Sequence, residues 1–161
     1  MSLGTKESIV IEDALPADAA EIHSLQRLAY LGEAKIENDY SIPPLKETFE
    51  QVAAAFAEGR IFKVLLDGRI IGSARTRLQG ETCYICRVVV HPEFQNRGIG
   101  SSLMRAIENQ FTDVARFELY TSGKSDRNLH FYGRLGYTTF TTVHVPGRGE
   151  MVYLEKRQLP G

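Results

Sequence analysis

The chain has 161 residues, with 43% hydrophobic and 24% charged positions, and 19 Lys and Arg against 20 Asp and Glu give a formal charge of -1. A length near the mode for one folded unit, with ordinary globular composition, excludes disorder, collagen and coiled coil as descriptions of the whole chain; it predicts a single domain over residues 1–161. Near-zero charge argues against a nucleic-acid partner. No apolar run reaches the roughly 18 to 20 residues of a membrane span, and no secretory signal opens the chain, so a soluble, cytoplasmic protein with no membrane partner is expected.

Residues 1–5, polar and patternless, read as a disordered or cloning-derived leader. Lys6 to Asp13, with Ile9, Val10 and Ile11, predicts a first strand. Pro16, Asp18 and Glu21 mark a helix start, and Ile22, Leu25 and Leu28 recur at helical spacing. Gly32 to Pro44 predicts a loop, after which Lys46 to Glu58 reads as a second helix with Phe49, Val52, Ala53 and Phe56 on one side and Gly59 as its stop. Ile61 to Leu66 and Arg69 to Leu78 flank Asp67-Gly68, the strongest short hairpin signal. A further turn at Gln79-Gly80 leads to a strand over Glu81 to Val90.

A third helix is predicted over Gly98 to Gln110, then a strand over Ala115 to Thr121. Ser125 caps a helix over Asp126 to Leu135, ended by Gly136. Tyr137 to Val145 and Glu150 to Arg157 close the chain as a hairpin. The order β-α-α-β-β-β-α-β-α-β-β predicts an α+β fold on one mixed, mostly antiparallel sheet of about seven strands flanked by about four helices. Glu81–Val90 and Ala115–Thr121, joined through a helix, should run parallel.

Cys83 and Cys86 lie three apart on a strand and so face opposite sides, which argues against a disulfide. His23, His91, His130 and His144 are scattered, so no metal site is expected. The chemistry concentrates in Val88-Val89-Val90-His91-Pro92-Glu93-Phe94-Gln95-Asn96-Arg97-Gly98-Ile99-Gly100-Ser101, a strand, a glycine loop and a helix start. Gly98 and Gly100 let the backbone approach a ligand, and the free N–H groups of the first helical turn suit a pyrophosphate. A nicotinamide dinucleotide fingerprint would need a third glycine where Leu103 stands, and the P-loop lysine is missing.

Gln95, Gly98 and Gly100, behind the strand end Val88-x-Val90-x-Pro92, resemble the acetyl-coenzyme A signature of the GNAT superfamily of N-acetyltransferases. Asn128-Leu129-His130-Phe131-Tyr132-Gly133-Arg134-Leu135-Gly136-Tyr137 is similar to that family's second motif, and the two together span Tyr84 to Tyr137. The resemblance implies a GNAT-like fold with acetyl-CoA as cosubstrate and no metal. It implies a V-shaped opening between the two parallel strands, with the pantetheine arm bonded to the backbone of Val88 and Val90. Pyrophosphate contacts would fall on Gln95, Asn96, Arg97, Gly98, Ile99, Gly100 and Ser101, with Asn128 as a further coenzyme contact.

By the same resemblance, a backbone N–H near Val89 or Val90 would meet the oxyanion and Tyr132 would act as general acid. His130, about 200° around the helix from Tyr132, should face elsewhere, and His91 in its turn should be structural. Candidates for a general base are Glu33, Glu37, Asp39, Glu81 and Tyr84, and the acceptor, a small-molecule or peptide amine, is expected to meet the loop Ile36 to Leu45 with Tyr40, Pro43 and Pro44. Glu33, Tyr40 and Tyr84 are the expected substrate contacts. Gly133 stands where the family more usually has a longer side chain, and close packing is the expected reason. A non-catalytic acetyl-CoA sensor is the alternative function, and a homodimer is left open.

Overall fold

The computed structural model describes residues 8–158. Residues 1–5, Lys6 and Glu7 lie outside that range, so the leader and the start of the first strand are not addressed. Fourteen segments follow in order, seven of them strands: β1 Ile9–Asp13, β2 Ile61–Leu66, β3 Arg69–Gln79, β4 Thr82–Val90, β5 Arg116–Ser122, β6 Thr138–Val145 and β7 Gly149–Arg157. The helices are α1 Ala19–Glu37, α2 Pro43–Lys46, α3 Phe49–Ala55, α4 Ile99–Gln110 and α5 Asp126–Arg134, with short 3-10 turns at Pro16–Asp18 and Pro92–Phe94. No described helix is long and apolar enough to cross a membrane.

The strands form one sheet in the order β1-β2-β3-β4-β5-β7-β6. Every neighbouring pair is antiparallel except β4 and β5, which run parallel as the helical crossover between them requires. Asp67 and Gly68 link β2 to β3 with φ of 50° and 77°, the doubly left-handed backbone of a two-residue hairpin turn that matches strand twist. On one face of the sheet α4 and α5 bury Leu103, Met104, Ile107 and Tyr132 against Val64, Ile71, Cys83, Ile85 and Phe117. On the other, α1 and α3 bury Ile22, Leu25 and Val52 against Ile61, Ile70 and Val89.

Two helical boundaries differ from those the sequence suggests. The expected break at Gly32 does not occur: α1 continues to Glu37 and ends at Asn38, which takes the left-handed conformation at φ 54°. A single glycine costs a helix interior about 1 kcal/mol, which the helix-favouring Glu33, Ala34 and Lys35 and the full burial of Ala34 against Ile42 and Leu45 offset. The expected second helix divides into α2 and α3. Thr48 stops one and starts the other, accepting from Gln51 N at 3.1 Å while its own N–H donates to the Gln51 side chain at 2.9 Å. Restarting there turns Phe49 outward and buries Val52 and Ala55 in its place.

Candidate active site

β4 and β5 pair only over Thr82–Tyr84 and Arg116–Glu118, although β4 continues to Val90 and β5 to Ser122. Beyond that point β5 keeps its partner β7 and β4 keeps β3, so the edges facing each other have no strand between them. The divergence opens a cavity of about 530 Å³ between Val88, Val89 and Val90 on one side and Leu119, Tyr120 and Thr121 on the other. A bulge shapes the β4 side: Ser73 faces Val89 while Arg75 faces Cys86, so β4 holds one extra residue. Arg87 absorbs it with φ 52°.

At the end of β4 the chain turns through Pro92–Phe94 into the glycine loop. His91 holds that turn, accepting from Glu93 N on Nδ1 at 3.1 Å, with its Nε2 3.1 Å from the Arg69 guanidinium. Gln95 ties the loop back to the strand by donating to Val90 O at 3.1 Å and accepts from Arg127 of α5 at 3.1 Å. Asn96 and Gly98 both have positive φ, 64° and 79°, which swings α4 so that its first turn opens on the cavity. The first intrahelical bond runs from Ser102 N to Gly98 O at 3.0 Å, so the N–H groups of Ile99, Gly100 and Ser101 precede the ladder. A Cβ on Gly100 would come within 3.1 Å of Phe131 Cζ, so this glycine also brings α4 and α5 together.

Ser125 starts α5 by accepting from Asn128 N at 3.3 Å. Asn128 then donates to Thr121 Oγ1 on β5 and to Glu33 of α1, each at 3.2 Å, a bridge across the cavity mouth. Tyr132, one turn on, is buried with its ring edge-on to Phe131 and Tyr137 at 5.0 and 6.0 Å. Burial, reinforced by the nearby Glu33 carboxylate, raises its phenol well above the ordinary tyrosine range. It therefore stays protonated at neutral pH. Burial, with Glu37 beside it, likewise raises the Glu33 carboxyl.

The expected donor-side residues thus gather on one cavity: Val88, Val89, Val90, Gln95, Asn96, Gly98, Ile99, Gly100, Ser101, Asn128 and Tyr132 all line it. Arg97 does not; its guanidinium stacks over the Phe94 ring at 5.3 Å. Among the expected acceptor contacts, Glu33 lines the cavity and Tyr40 and Tyr84 do not. Tyr40 is 59% exposed, because α1 runs on to Glu37 and carries it past the opening. Tyr84 pairs with Glu118 where the sheet is still closed, under the Arg77 guanidinium at 4.6 Å. Asp39 turns away to bond Ser41 N and Oγ. His130 is exposed, as the helical angle from Tyr132 requires.

The sequence reading missed Tyr30, Cys86, Arg87 and Arg148, all on the cavity wall. Arg87 left a signal, a cation inside the apolar strand Thr82–Val90, where a two-sided core has no place for one. Both cysteines are free. Cys83 is fully buried and its thiol is pushed up to about 12, so it is inert; Cys86 faces the opposite side. Among the described residues no group of three or more His, Cys, Asp or Glu is placed to hold a metal ion.

Comparison with known proteins agrees with this geometry. The chain is similar to the UPF0157 protein YqkA of Bacillus subtilis, at 28% identity over 125 residues that cover 78% of this chain and 36% of YqkA. It therefore spans about a third of that relative's length. Among solved structures it is similar to the PaiA N-acetyltransferase of Thermoplasma acidophilum in complex with coenzyme A, with a TM-score of 0.80 at 16% identity over 94% of this chain and 99% of that one. It is equally similar to the ribosomal-protein-S18-alanine N-acetyltransferase of Escherichia coli, with a TM-score of 0.80 at 15% identity, over 96% and 97% of the two chains. Residues 19–137, which hold α1, the parted strands, the glycine loop and α5, match the family model for acetyltransferases of the GNAT type, and the chain belongs to the acetyltransferase (GNAT) family.

Proposed function

We propose that this chain is an N-acetyltransferase that uses acetyl-CoA to acetylate a primary amine by direct attack in a ternary complex. The observation that carries the reading is the parting of β4 from β5 beside an amide-lined helix start and a buried, protonated phenol, all on one cavity. The fit to the coenzyme is specific. Gly98 at φ 79° leaves open space where a Cβ would stand, and the three N–H groups after it suit a pyrophosphate at the positive end of α4. The unpaired edge of β4 suits an extended amide-bearing arm.

When bound, the coenzyme supplies an acetyl thioester. Val88 and Val90 would hold the arm through backbone groups, and Gln95, Asn96 and the residues Gly98 to Ser101 would hold the pyrophosphate. A backbone N–H near Val89 or Val90 receives the oxyanion that forms as the amine attacks. Tyr132 gives its proton to the departing thiolate, and the proton shed by the new amide nitrogen leaves through water or an acidic wall residue such as Glu33. Asn128, already joined to Thr121 and Glu33, links the donor side to the acceptor side.

Thermal unfolding tests the donor site first, because a ligand that binds only the folded chain must raise Tm. Acetyl-CoA at about 100 times its Kd should stabilise the chain by about 2.7 kcal/mol, and a nicotinamide dinucleotide should not. Thiol release with an amine panel then separates an enzyme from an acetyl-CoA sensor. A coenzyme-dependent rise in Tm with no thiol release for any amine would favour the sensor; no rise at millimolar acetyl-CoA would remove the reading altogether.

A further inference from the structure

On the acceptor side one guanidinium shares its carboxylate with another. Glu47, between α2 and α3, is paired with Arg75 of β3, whose Nη1 lies 3.1 Å from Oε2 and whose Nη2 meets Oε1. Gln26 of α1 also donates to Oε1, at 2.8 Å. Both oxygens thus carry hydrogen bonds from other residues, and the Arg87 guanidinium forms a longer ion pair with Oε2 at 3.5 Å. One carboxylate thus serves two guanidiniums. The Arg87 side chain is 17% exposed, and its Nε is buried with no hydrogen-bond partner among the described residues.

A guanidinium taken largely out of water and left short of acceptors is costly, and so is the backbone that holds it. Arg87 sits at the β4 bulge with φ 52°, a conformation that a residue with a Cβ adopts at a cost. The strand accepts both costs at the one position next to Val88 and Val89, on the wall of the cavity that holds Tyr132. The other cavity arginine with an unpartnered Nε, Arg148 of the β6–β7 turn, has a counter-charge of its own in Glu37 at 3.7 Å. Glu33 is held by Asn128. Arg127 and Arg134 also line the cavity, but they are exposed on α5, on the donor side; on the acceptor side Arg87 is the cation that shares its carboxylate with a second guanidinium.

Resting on the acetyltransferase reading, we infer that the acceptor is a primary amine that carries a carboxylate, an amino acid rather than a polyamine or the N-terminus of a protein, and that Arg87 binds that carboxylate. The end of the guanidinium, with Nη1 free of hydrogen bonds among the described residues and Nη2 no closer than 3.5 Å to Glu47, matches a carboxylate in two parallel hydrogen bonds. A phosphate, with up to two charges, would call for a second unanswered cation beside Arg87, and the other arginine on that side of the cavity, Arg148, is paired with Glu37. A diamine would set a second positive charge against Arg87, and a protein N-terminus brings no carboxylate close to its amine.

The test compares each of a series of free amino acids with its own primary amide, alongside an aliphatic diamine, by thiol release from acetyl-CoA. The wild-type chain should favour the free acid by about 10- to 100-fold in kcat/KM, the range of one charge-assisted pair. Arg87→Asn should bring that ratio toward one. Asn accepts the left-handed backbone, so the bulge is kept, and a retained rise in Tm with acetyl-CoA verifies that the fold and donor site survive. Arg87→Lys keeps the charge without the fork and should give an intermediate ratio, which also covers the case in which the Asn variant does not fold.

Amides or diamines acetylated as well as acids, or a ratio unchanged in both variants, would overturn the carboxylate inference and leave the acetyltransferase reading standing. Loss of the coenzyme-dependent rise in the wild-type chain would overturn both. Where the coenzyme binds and no amine turns over, N-acetyl amino acids and their amides serve as product probes with coenzyme A. Tighter binding of the acids, lost in Arg87→Asn, would support the inference, and equal Kd values would overturn it.

Discussion

The two walls of the cavity are built from different materials. The donor wall, from Val88 through α4 to Tyr132, is mostly backbone: an unpaired strand edge, a loop at positive φ and the first amides of a helix. The acceptor wall, from α1 through α2 to the β4 bulge, is mostly side chains, and its Arg87 is backed by a network behind the lining in which Glu47 meets Arg75 and Gln26, drawn from separate elements. Backbone chemistry is the same for any acyl acceptor and needs fixed residue types at fixed spacing. Side-chain charge chemistry can be assembled from any positions the fold brings together. The donor wall should therefore govern whether the chain reacts at all, and the acceptor wall what it reacts with.

Removing the Tyr132 hydroxyl separates these roles most sharply. Tyr132→Phe keeps the ring that packs on Phe131 and Tyr137, so stability should change little. Loss of the proton donor should lower kcat by about 10²-fold or more, the usual scale for general acid catalysis. The coenzyme-dependent rise in Tm should remain. A variant with full kcat would show that the leaving thiolate takes its proton elsewhere.

Glu47 probes the opposite wall through pH. Burial raises its carboxyl, but hydrogen bonds from Arg75 and Gln26 and the charges of Arg75 and Arg87 outweigh that and hold it at about 2, against an ordinary 4.5. A carboxylate with a lowered pKa contributes its full stability above the ordinary value and loses it as pH falls toward the folded one. Unfolding in urea should show about 3 kcal/mol of stability lost between pH 4.5 and pH 2. Glu47→Gln should lose a comparable amount at pH 7 and flatten that part of the profile. Acetyl-CoA binding should survive at pH 7; its loss would mean that the two walls are not separable.

Gly98 is the matching test on the donor wall. No atom lies within 4 Å of where its Cβ would be, so Gly98→Val meets no clash, only the strain of φ 79° in a β-branched residue. That strain is about 1 to 2 kcal/mol. Relaxing it turns the first amides of α4, so coenzyme Kd should rise about tenfold, measured by titration. Acceptor preference among those amines still acetylated should not move.

The contrast also accounts for what could be read ahead of the structure. Gly98, Gly100, Asn128 and Tyr132 belong to motifs of short range, and the strand, loop and helix boundaries around them fall within a residue of expectation. The Asp67-Gly68 turn was equally plain, because two positive φ values in succession restrict the residues that fit. Tyr40 and Tyr84 fall outside the cavity lining, because their relation to it depends on where α1 ends and where β4 leaves β5, and neither event is encoded locally. Glu33 could be placed near the acceptor, but its partner Asn128 is 95 residues away. Arg87 and Glu47, 40 positions apart, gain their meaning only when the sheet and the helices meet.

Gly133 is the one donor-side residue that neither wall explains. The expectation of close packing fails: Gly133 is exposed in α5, and no atom lies within 4 Å of where its Cβ would stand. Its φ is not among the positive ones, so alanine fits the existing backbone. In a helix interior that exchange removes backbone freedom from the unfolded chain and should raise stability by about 0.4 to 1 kcal/mol. Gly133 lies next to Tyr132, however, and α5 is joined to the glycine loop through Arg127 and to α1 through Asn128. Gly133→Ala should therefore raise Tm without coenzyme and leave kcat unchanged if α5 is only a scaffold. A raised Tm with a lower kcat would mean that α5 must flex for Tyr132 to deliver its proton, and would make the last turn of this helix a moving part of the donor wall.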